Sequence, residues 1–376
     1  MVLAALLLAS GCTTPPVTDE DPGARIPPAA LLQARVLADQ AAPLPDDDFL
    51  ATDDAMRRFV AEHVSPHASA AVRLRQLLAA VMGEGGVGVA YGAQTYSAAE
   101  AFHRREANCL SFTAMFVALA REAGLDAQFQ EVDIPPEWTR SGDSFVLNRH
   151  VDVLVRDSPW HERVVDFDIE DFRSSYDRRP IADRRALAHY HNNLGVERMQ
   201  QGATVDALRH FRKAIEEDES FTPAWANLGS LYHRAGHARW AVSAWRHVLD
   251  ISPGEPVALS SLERAYRALG RPDLADEYRS RIERHRLGNP YFRYILARQA
   301  FSQQDYDTAI GHLRYATREK PAEERFATLL GLSYLRRGET AAAERWLARA
   351  ARLSGDESLR AGYADKLDRL RANGPG

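Results

Sequence analysis

Three side chains in a fixed order raise the question of chemistry. Cys109 stands at the start of a helix in "REANCLSFTAMFVALAREAGLDAQF", His150 stands in the strand-like "LNRHVDVLV", and Asp166 follows in "RVVDFDI". A thiol at a helix N-terminus lies near partial positive charge and unpaired N–H groups. These favour the thiolate and can hold an oxyanion on an attacked acyl group. Val151, Val153 and Val155 alternate with His150 and Asp152, so valines facing a core would turn His150 toward a cleft. Asp166 and Asp168 share the strand face opposite Val165 and Phe167. A carboxylate there can fix the imidazole tautomer and stabilise its cation. Such a set attacks an amide or ester carbonyl, forms a thioester and releases the amine; water or a second amine then resolves it. Gln94, Tyr96 and Asn108 are the candidate upstream donors to the oxyanion.

These residues need a helix packed on strands. Ser97 followed three residues later by Glu100 is a capping box that opens one helix. Phe112, Met115, Phe116 and Leu119 recur at i, i+3, i+4 and i+7 in the next helix, and Gly124 ends it. "DAQFQEVDI", "FVLNRHVDVLVR" and "ERVVDFDI" follow as strands with a two-residue period. Helix followed by antiparallel strands predicts an α+β domain over residues 51–180. The stretch "DIPPEWTRSGDS", residues 133–144, lies between the thiol helix and the histidine strand and is placed to wall a substrate cleft.

Order and spacing over about residues 55–175 resemble the transglutaminase-like branch of the papain-like thiol enzymes. The stretches "YSAAEAFHRREANCLSF" and "AREAGLDA" carry the resemblance. It implies a papain-like fold, Cys109 as nucleophile, His150 as general base and acid, and Asp166 as orienting carboxylate. Two departures stand out. Ala107 occupies the position two before the cysteine where the family usually has glycine, and Phe167 and Asp168 follow Asp166 where it usually has Pro and Thr. Asp168 is therefore kept as the alternate carboxylate. The family includes peptidases, amidases, cross-linking acyltransferases and inactive members. The expected function is a thiol acyl-transfer enzyme acting on a peptide or protein amide; the alternative is an inactive scaffold that only binds partners.

The chain has two cysteines. Cys12 ends "MVLAALLLASGC", whose apolar run is too short to span a bilayer and suits a secretory signal. Leu8 to Cys12 resembles a bacterial lipobox. Residues 1–12 are thus expected to be a lipoprotein signal, with Cys12 lipidated and the protein anchored in the cell envelope, at the outer membrane facing the periplasm. Cys109 is then the lone thiol in an oxidising compartment, a liability unless buried or used. Residues 13–50 hold seven of the 19 prolines and read as a tether, with "LLQARVLADQ" as a short docking helix inside it. A net charge of -5 without a basic face sets nucleic acid aside. His161, His189 and His191 lack metal-ligand company and read as structural, so no metal and no cofactor are expected.

From residue 188 a 34-residue period sets in. Ala207, Ala241, Ala275, Ala309 and Ala343 form one unbroken column, and Leu194, Leu228, Leu262, Leu296 and Leu330 another. Gly195, Gly229 and Gly331 share a third with Glu263 and Ala297. Small residues at two inner columns let paired helices approach closely. These columns resemble the tetratricopeptide repeat, five copies over 188–357 with a capping helix and tail over 358–376. The fold class is therefore an α+β papain-like domain followed by an all-α solenoid. The resemblance implies that the repeats bind a peptide or protein. Counting the positions that face the concave side gives Arg264, Arg267, Tyr291, Tyr294, Arg298 and Phe301, a set suited to a chain carrying carboxylates.

Overall fold

The computed structural model describes residues 25–37, 42–44, 46, 48–83, 86–133, 149–158, 161–166, 177–354 and 362. The sheet-containing part opens with α1 (Pro28–Gln33), then α2 (Asp54–His63) and α3 (Ala70–Met82). Asp53 caps α2 by accepting from the amides of Ala55 and Met56. A two-residue parallel pairing joins β1 (Ala90–Tyr91) to β2 (Glu106–Ala107) across α4 (Ala98–Arg104). The Ser97–Glu100 capping box opens α4.

The central element is α5 (Cys109–Glu122). Every residue from Leu110 to Ala120 is buried, as a helix that is apolar all round must be. It lies on an antiparallel sheet built from β3 (Asp126–Asp133), β4 (Arg149–Ser158), β5 (His161–Val165) and β6 (Asp177–Ile181), in the order β5-β4-β3-β6. Val151, Val153 and Val155 of β4 and Ala127 and Phe129 of β3 share one core with Phe112, Met115 and Phe116. The Thr113 hydroxyl donates to the Val151 carbonyl and ties α5 to β4. The valines thus face the helix, as their alternation predicts.

Five helix pairs follow. The first is α6 (Asp183–Gln200) with α7 (Thr204–Glu217), the second α8 (Thr222–Arg234) with α9 (Ala238–Ile251). The third is α10 (Pro256–Ala268) with α11 (Pro272–Gly288), the fourth α12 (Pro290–Ser302) with α13 (Tyr306–Glu319), the fifth α14 (Glu324–Arg336) with α15 (Thr340–Leu353). The starts of α8, α10, α12 and α14 repeat the 34-residue period of the sequence. Gly195 faces Phe211, Gly229 faces Trp245 and Gly331 faces Leu347, so the glycine column is where the second helix of a pair lays its large side chain. The solenoid is tetratricopeptide-like. The stretch 358–376 lies outside the described residues except for Gly362.

Two expectations are corrected. The sequence reading ends one domain at 180 and starts the repeats at 188, but α6 is continuous across that boundary. Its Ala186 and Tyr190 belong to the sheet core and its Ala188 to the repeat core. Glu131 of β3 locks the joint, accepting from Arg185 and His189 at 2.7 Å each and from Arg179 Nε at 2.9 Å. The second correction concerns the tether. Over its described residues, 25–46 is packed along the second helices of the first two pairs, with Ile26, Leu31 and Ala34 buried in the repeat core. The Ile26 amide donates to Ser243, Tyr232 donates to the Leu31 carbonyl, Arg209 to the Ala42 carbonyl, and Lys213 pairs with Asp46. Two of these anchors, Leu31 and Ala34, lie in the "LLQARVLADQ" stretch read from the sequence as a docking helix.

The glycine column yields a paired test. A Cβ at position 229 would sit 2.6 Å from the Trp245 ring nitrogen, whereas one at Gly311, inside α13, would meet nothing within 4 Å. Gly229→Ala is expected to lose about 1–3 kcal/mol by overpacking. Gly311→Ala should gain about 0.5–1 kcal/mol from the lower entropy of the unfolded chain. Urea denaturation midpoints at unchanged slope are the check.

Candidate active site

Cys109 is the first residue of α5 and its thiol is free and half-buried. The backbone that delivers it is fixed on both sides. Ahead of it, Ala107 is wholly buried and its carbonyl accepts from the Gly92 amide across the β1–β2 pairing. At the helix end, the Asn108 side chain accepts from the Ser111 amide and donates to Thr95 Oγ1. Ser111 Oγ in turn accepts from the Tyr96 amide. The cap therefore leaves the cysteine no freedom to slide along the helix.

His150 lies near the start of β4, opposite Val132. Its Nε2–H donates to Asp166 Oδ1 at 2.7 Å, and the Cys109 thiol interacts with the same imidazole. Asp166 is the residue directly after β5. The side chains of His150 and Asp166 are 12% and 8% exposed, so the interaction is made in a largely dry setting. The three residues singled out by order in the sequence meet at one point. Asp168 and the stretch 134–148, which includes nearly all of the expected cleft wall, lie outside the described residues.

Electrostatics follow from this geometry. Burial by itself drives the His150 pKa down, but the bonds to Asp166 and Cys109 outweigh it and hold the ring up to about 10. The imidazolium is thus the resting form at neutral pH, facing a thiol on one side and a carboxylate on the other. A further carboxylate was not assigned a role from sequence. Asp152, two residues along β4 on the His150 face, is fully buried. Its Oδ2 accepts from Arg178 Nε at 3.1 Å and its Oδ1 has no partner. Burial pushes this carboxyl up to about 6, with Arg178 opposing the rise and Asp166 adding to it. Strand alternation was the available signal, since it places Asp152 beside His150.

Of the three upstream donors, Asn108 has its amide committed to Thr95, and Tyr96 gives its hydroxyl hydrogen to Gln94 Oε1 at 2.6 Å. Gln94 is exposed and accepts through Oε1 from Tyr96. Three histidines read from the sequence as structural or solvated, His161, His189 and His191, have side-chain partners away from Cys109. His161 bonds Asp157, His189 bonds Glu131, and His191 is buried against His210 at 3.2 Å, where burial lowers its pKa to about 3.

The expected partner-binding set is not a free row of side chains. Tyr291 meets the Phe326 ring edge-on and Tyr294 meets it tilted, with ring centroids 5.2 Å away in each case, and Phe301 packs on Tyr306. Arg267 pairs with Glu263, while Arg264 and Arg298 are exposed. Aromatics at these positions serve helix packing first. The solenoid also returns to the sheet: Lys320, at the end of α13, pairs with Asp177 at the start of β6. Asp177, Asp133 and Arg149 form one row of the sheet, and Arg178, Val132 and His150 form the next. The fourth repeat therefore touches the sheet at the end that holds His150.

No family model and no curated protein matches the chain. Among solved structures it is similar to MamA, at 18% identity over 44% of this chain and 91% of that one, with a TM-score of 0.25. It is similar also to the MamA 41-end protein from Desulfovibrio magneticus RS-1, at 16% identity over 46% and 96%, TM-score 0.26. A third similarity is to YrrB, described as a TPR protein with an unusual peptide-binding site, at 21% identity over 48% and 92%, TM-score 0.24. TM-scores this low say nothing about the site, and the repeat architecture rests on the helix pairs themselves.

The raised His150 pKa fixes the sign of a measurement. Between pH 6 and 8 the protonated ring is expected to make Cys109 react with iodoacetamide about tenfold or more faster than it does in His150→Ala. That advantage should vanish as pH rises through about 10 and the ring loses its proton. Alkylation rates followed by intact mass across pH 5.5–10.5 are the check; equal rates at neutral pH would remove the ion pair.

Proposed function

We propose that this protein is a thiol acyl-transfer enzyme whose repeats hold a protein or peptide partner. The observation that carries the reading is one imidazole held between a helix-start thiol and a buried carboxylate. In the proposed cycle Cys109 first passes its proton to His150, and the resulting thiolate attacks an amide carbonyl, its S–C bond forming as the carbonyl π pair moves to oxygen. The amide N–H groups at the start of α5 serve as donors to that oxyanion, with the Gln94 amide as a candidate second donor. His150 then gives its proton to the departing nitrogen, the C–N bond breaks, and a thioester remains. Water or a second amine gives its proton back to His150 and displaces the sulfur. Asp166 keeps the ring oriented and its cation stabilised throughout. Hydrolysis of a peptide or isopeptide bond is the preferred outcome because water needs no second binding site.

The contact between the fourth repeat and the His150 end of the sheet supports a joint role for the two parts, with the solenoid bringing a bound chain to the cysteine. YrrB is described as having an unusual peptide-binding site, and we extend peptide or protein binding to these repeats as part of the proposal. The scaffold reading shares this binding role and drops the chemistry. Peptide vinyl sulfones and a fluorogenic peptide library, offered to protein lacking residues 1–12, separate the two. Covalent labelling and turnover that vanish in Cys109→Ala and fall by about 10²–10⁴ in Asp166→Asn are expected of the enzyme. Absence of both, with a thiol no faster than free cysteine, leaves the scaffold.

We further propose that Cys12 carries lipid and holds the protein at the outer membrane, from the lipobox resemblance. Cys12→Ala is expected to move the protein from the membrane to the soluble fraction of cells; an unchanged distribution would refute the anchor.

A further inference from the structure

The five helix pairs act as one another's controls, and the third breaks the rule that the others keep. In the first, second and fifth pairs, a glycine on the first helix receives Phe211, Trp245 or Leu347 sixteen residues later. In the fourth pair the equivalents are Ala297 and Leu313, both fully buried. In the third pair they are Glu263 and Arg279. The apolar seam is replaced by an ion pair at 3.6 Å, which Arg267 joins from the next turn of α10. The consequence reaches the core. One apolar cluster runs unbroken up to Tyr278 of α11, and a separate one begins at Ala297 of α12.

Where the seam should close, a cleft of about 230 Å³ opens between α10 and α11, lined by Ser260, Glu263, Arg264, Arg279, Glu283 and Arg286. Three guanidinium groups against two carboxylates leave it net positive. Glu263 is already shared by Arg267 and Arg279. Arg264 makes no ion pair among the described residues, and the Ser260 hydroxyl, on a residue nine-tenths buried, has no hydrogen-bond partner. A buried hydroxyl without a partner and a guanidinium without a counter-ion, both bordering the cleft, are the complement of a carboxylate. Glu283 at the same cleft disfavours a dianion, so phosphate is the poorer guest.

We infer that the third repeat carries a carboxylate-binding cleft in its own helix seam, and that an Asp- or Glu-bearing peptide segment is its ligand. This deepens the partner-binding reading of the repeats and rests on it, but not on the chemistry at Cys109. The cleft explains why a stabilising apolar contact was given up at one position of an otherwise regular array. It also places part of the ligand between helices of one repeat, where a guest would bridge two apolar blocks of the solenoid.

The test compares the full chain with Glu263→Gly/Arg279→Leu, which rebuilds the seam seen in the fifth pair, and with Arg264→Gln, which leaves the seam alone. The probe is a fluorescein-labelled octapeptide of alternating glutamate and glycine, read by anisotropy against its lysine counterpart and against inorganic polyphosphate. Wild type is expected to bind the acidic peptide and not the lysine peptide. The rebuilt seam should raise the melting temperature by a few degrees and weaken binding at least tenfold, and Arg264→Gln should weaken it several-fold with no change in melting. Binding that survives seam rebuilding, or polyphosphate competing as well as the peptide, would overturn the cleft. So would a wild type that binds no acidic peptide while the rebuilt variant melts higher, since the ion pair would then be only a weak joint. The Cys109 alkylation rate, unchanged in both variants, shows that failure here leaves the thiol site standing.

Discussion

One buried carboxylate holds the two parts of this molecule in a single body. Glu131 sits on the α6 side of the sheet, 3% exposed, where an unpaired charge would cost several kcal/mol in lost hydration. Arg179 of β6 and Arg185 and His189 of α6 offset that cost, and His189 and Arg185 hold the Glu131 pKa far below the ordinary carboxylate range against the opposing effect of burial. Arg185 reaches on to Asp218 at the end of α7. The direction in which the solenoid leaves the sheet is therefore set by charge geometry on one helix, with no linker to relax it. Every later helix pair inherits that direction.

The same rigidity reaches the candidate site. Because α6 is locked, the fourth repeat comes back to the sheet at Asp177, in a row adjacent to the one that holds His150. β6 thus bears two kinds of contact at once. Arg178 reaches under the sheet to Asp152 beside the histidine, and its neighbour Asp177 meets the repeats. A displacement of the repeats has a short covalent route to the electrostatics around the imidazole.

What could be seen in the sequence was what repeats or alternates locally. The all-apolar α5, the valines of β4 and the 34-residue columns each have a period that a single pass along the chain exposes. The order Cys109, His150, Asp166 was legible through resemblance, and the geometry brings the three together. The rest was hidden because it is made by partners far apart in sequence. Arg178 and Asp152 are 26 residues apart, Glu131 and His189 are 58 apart, and Lys213 and Asp46 are 167 apart, with no local pattern to mark any of them. Tyr291, Tyr294 and Phe301 illustrate a related point. A position that faces a groove in an idealised repeat can still be claimed by the neighbouring helix when the side chain is large enough to reach it.

A stack of repeats is ordinarily one-dimensional: each unit touches only the next, and a pull on either end peels units off in turn. The strap of residues 25–46 changes that. Over its described residues it runs back from the sheet over α7 and α9, so its first described residue, Arg25, lies against the second repeat, where it pairs with Asp250. Tension applied ahead of residue 25 falls first on the strap's own anchors, Ile26 and Leu31, running along the stack and not across it. The sheet, α5 and the thiol lie downstream of those anchors in the mechanical sense. A tug on the amino end would be spent in shear along two helix pairs before any of it reached Cys109.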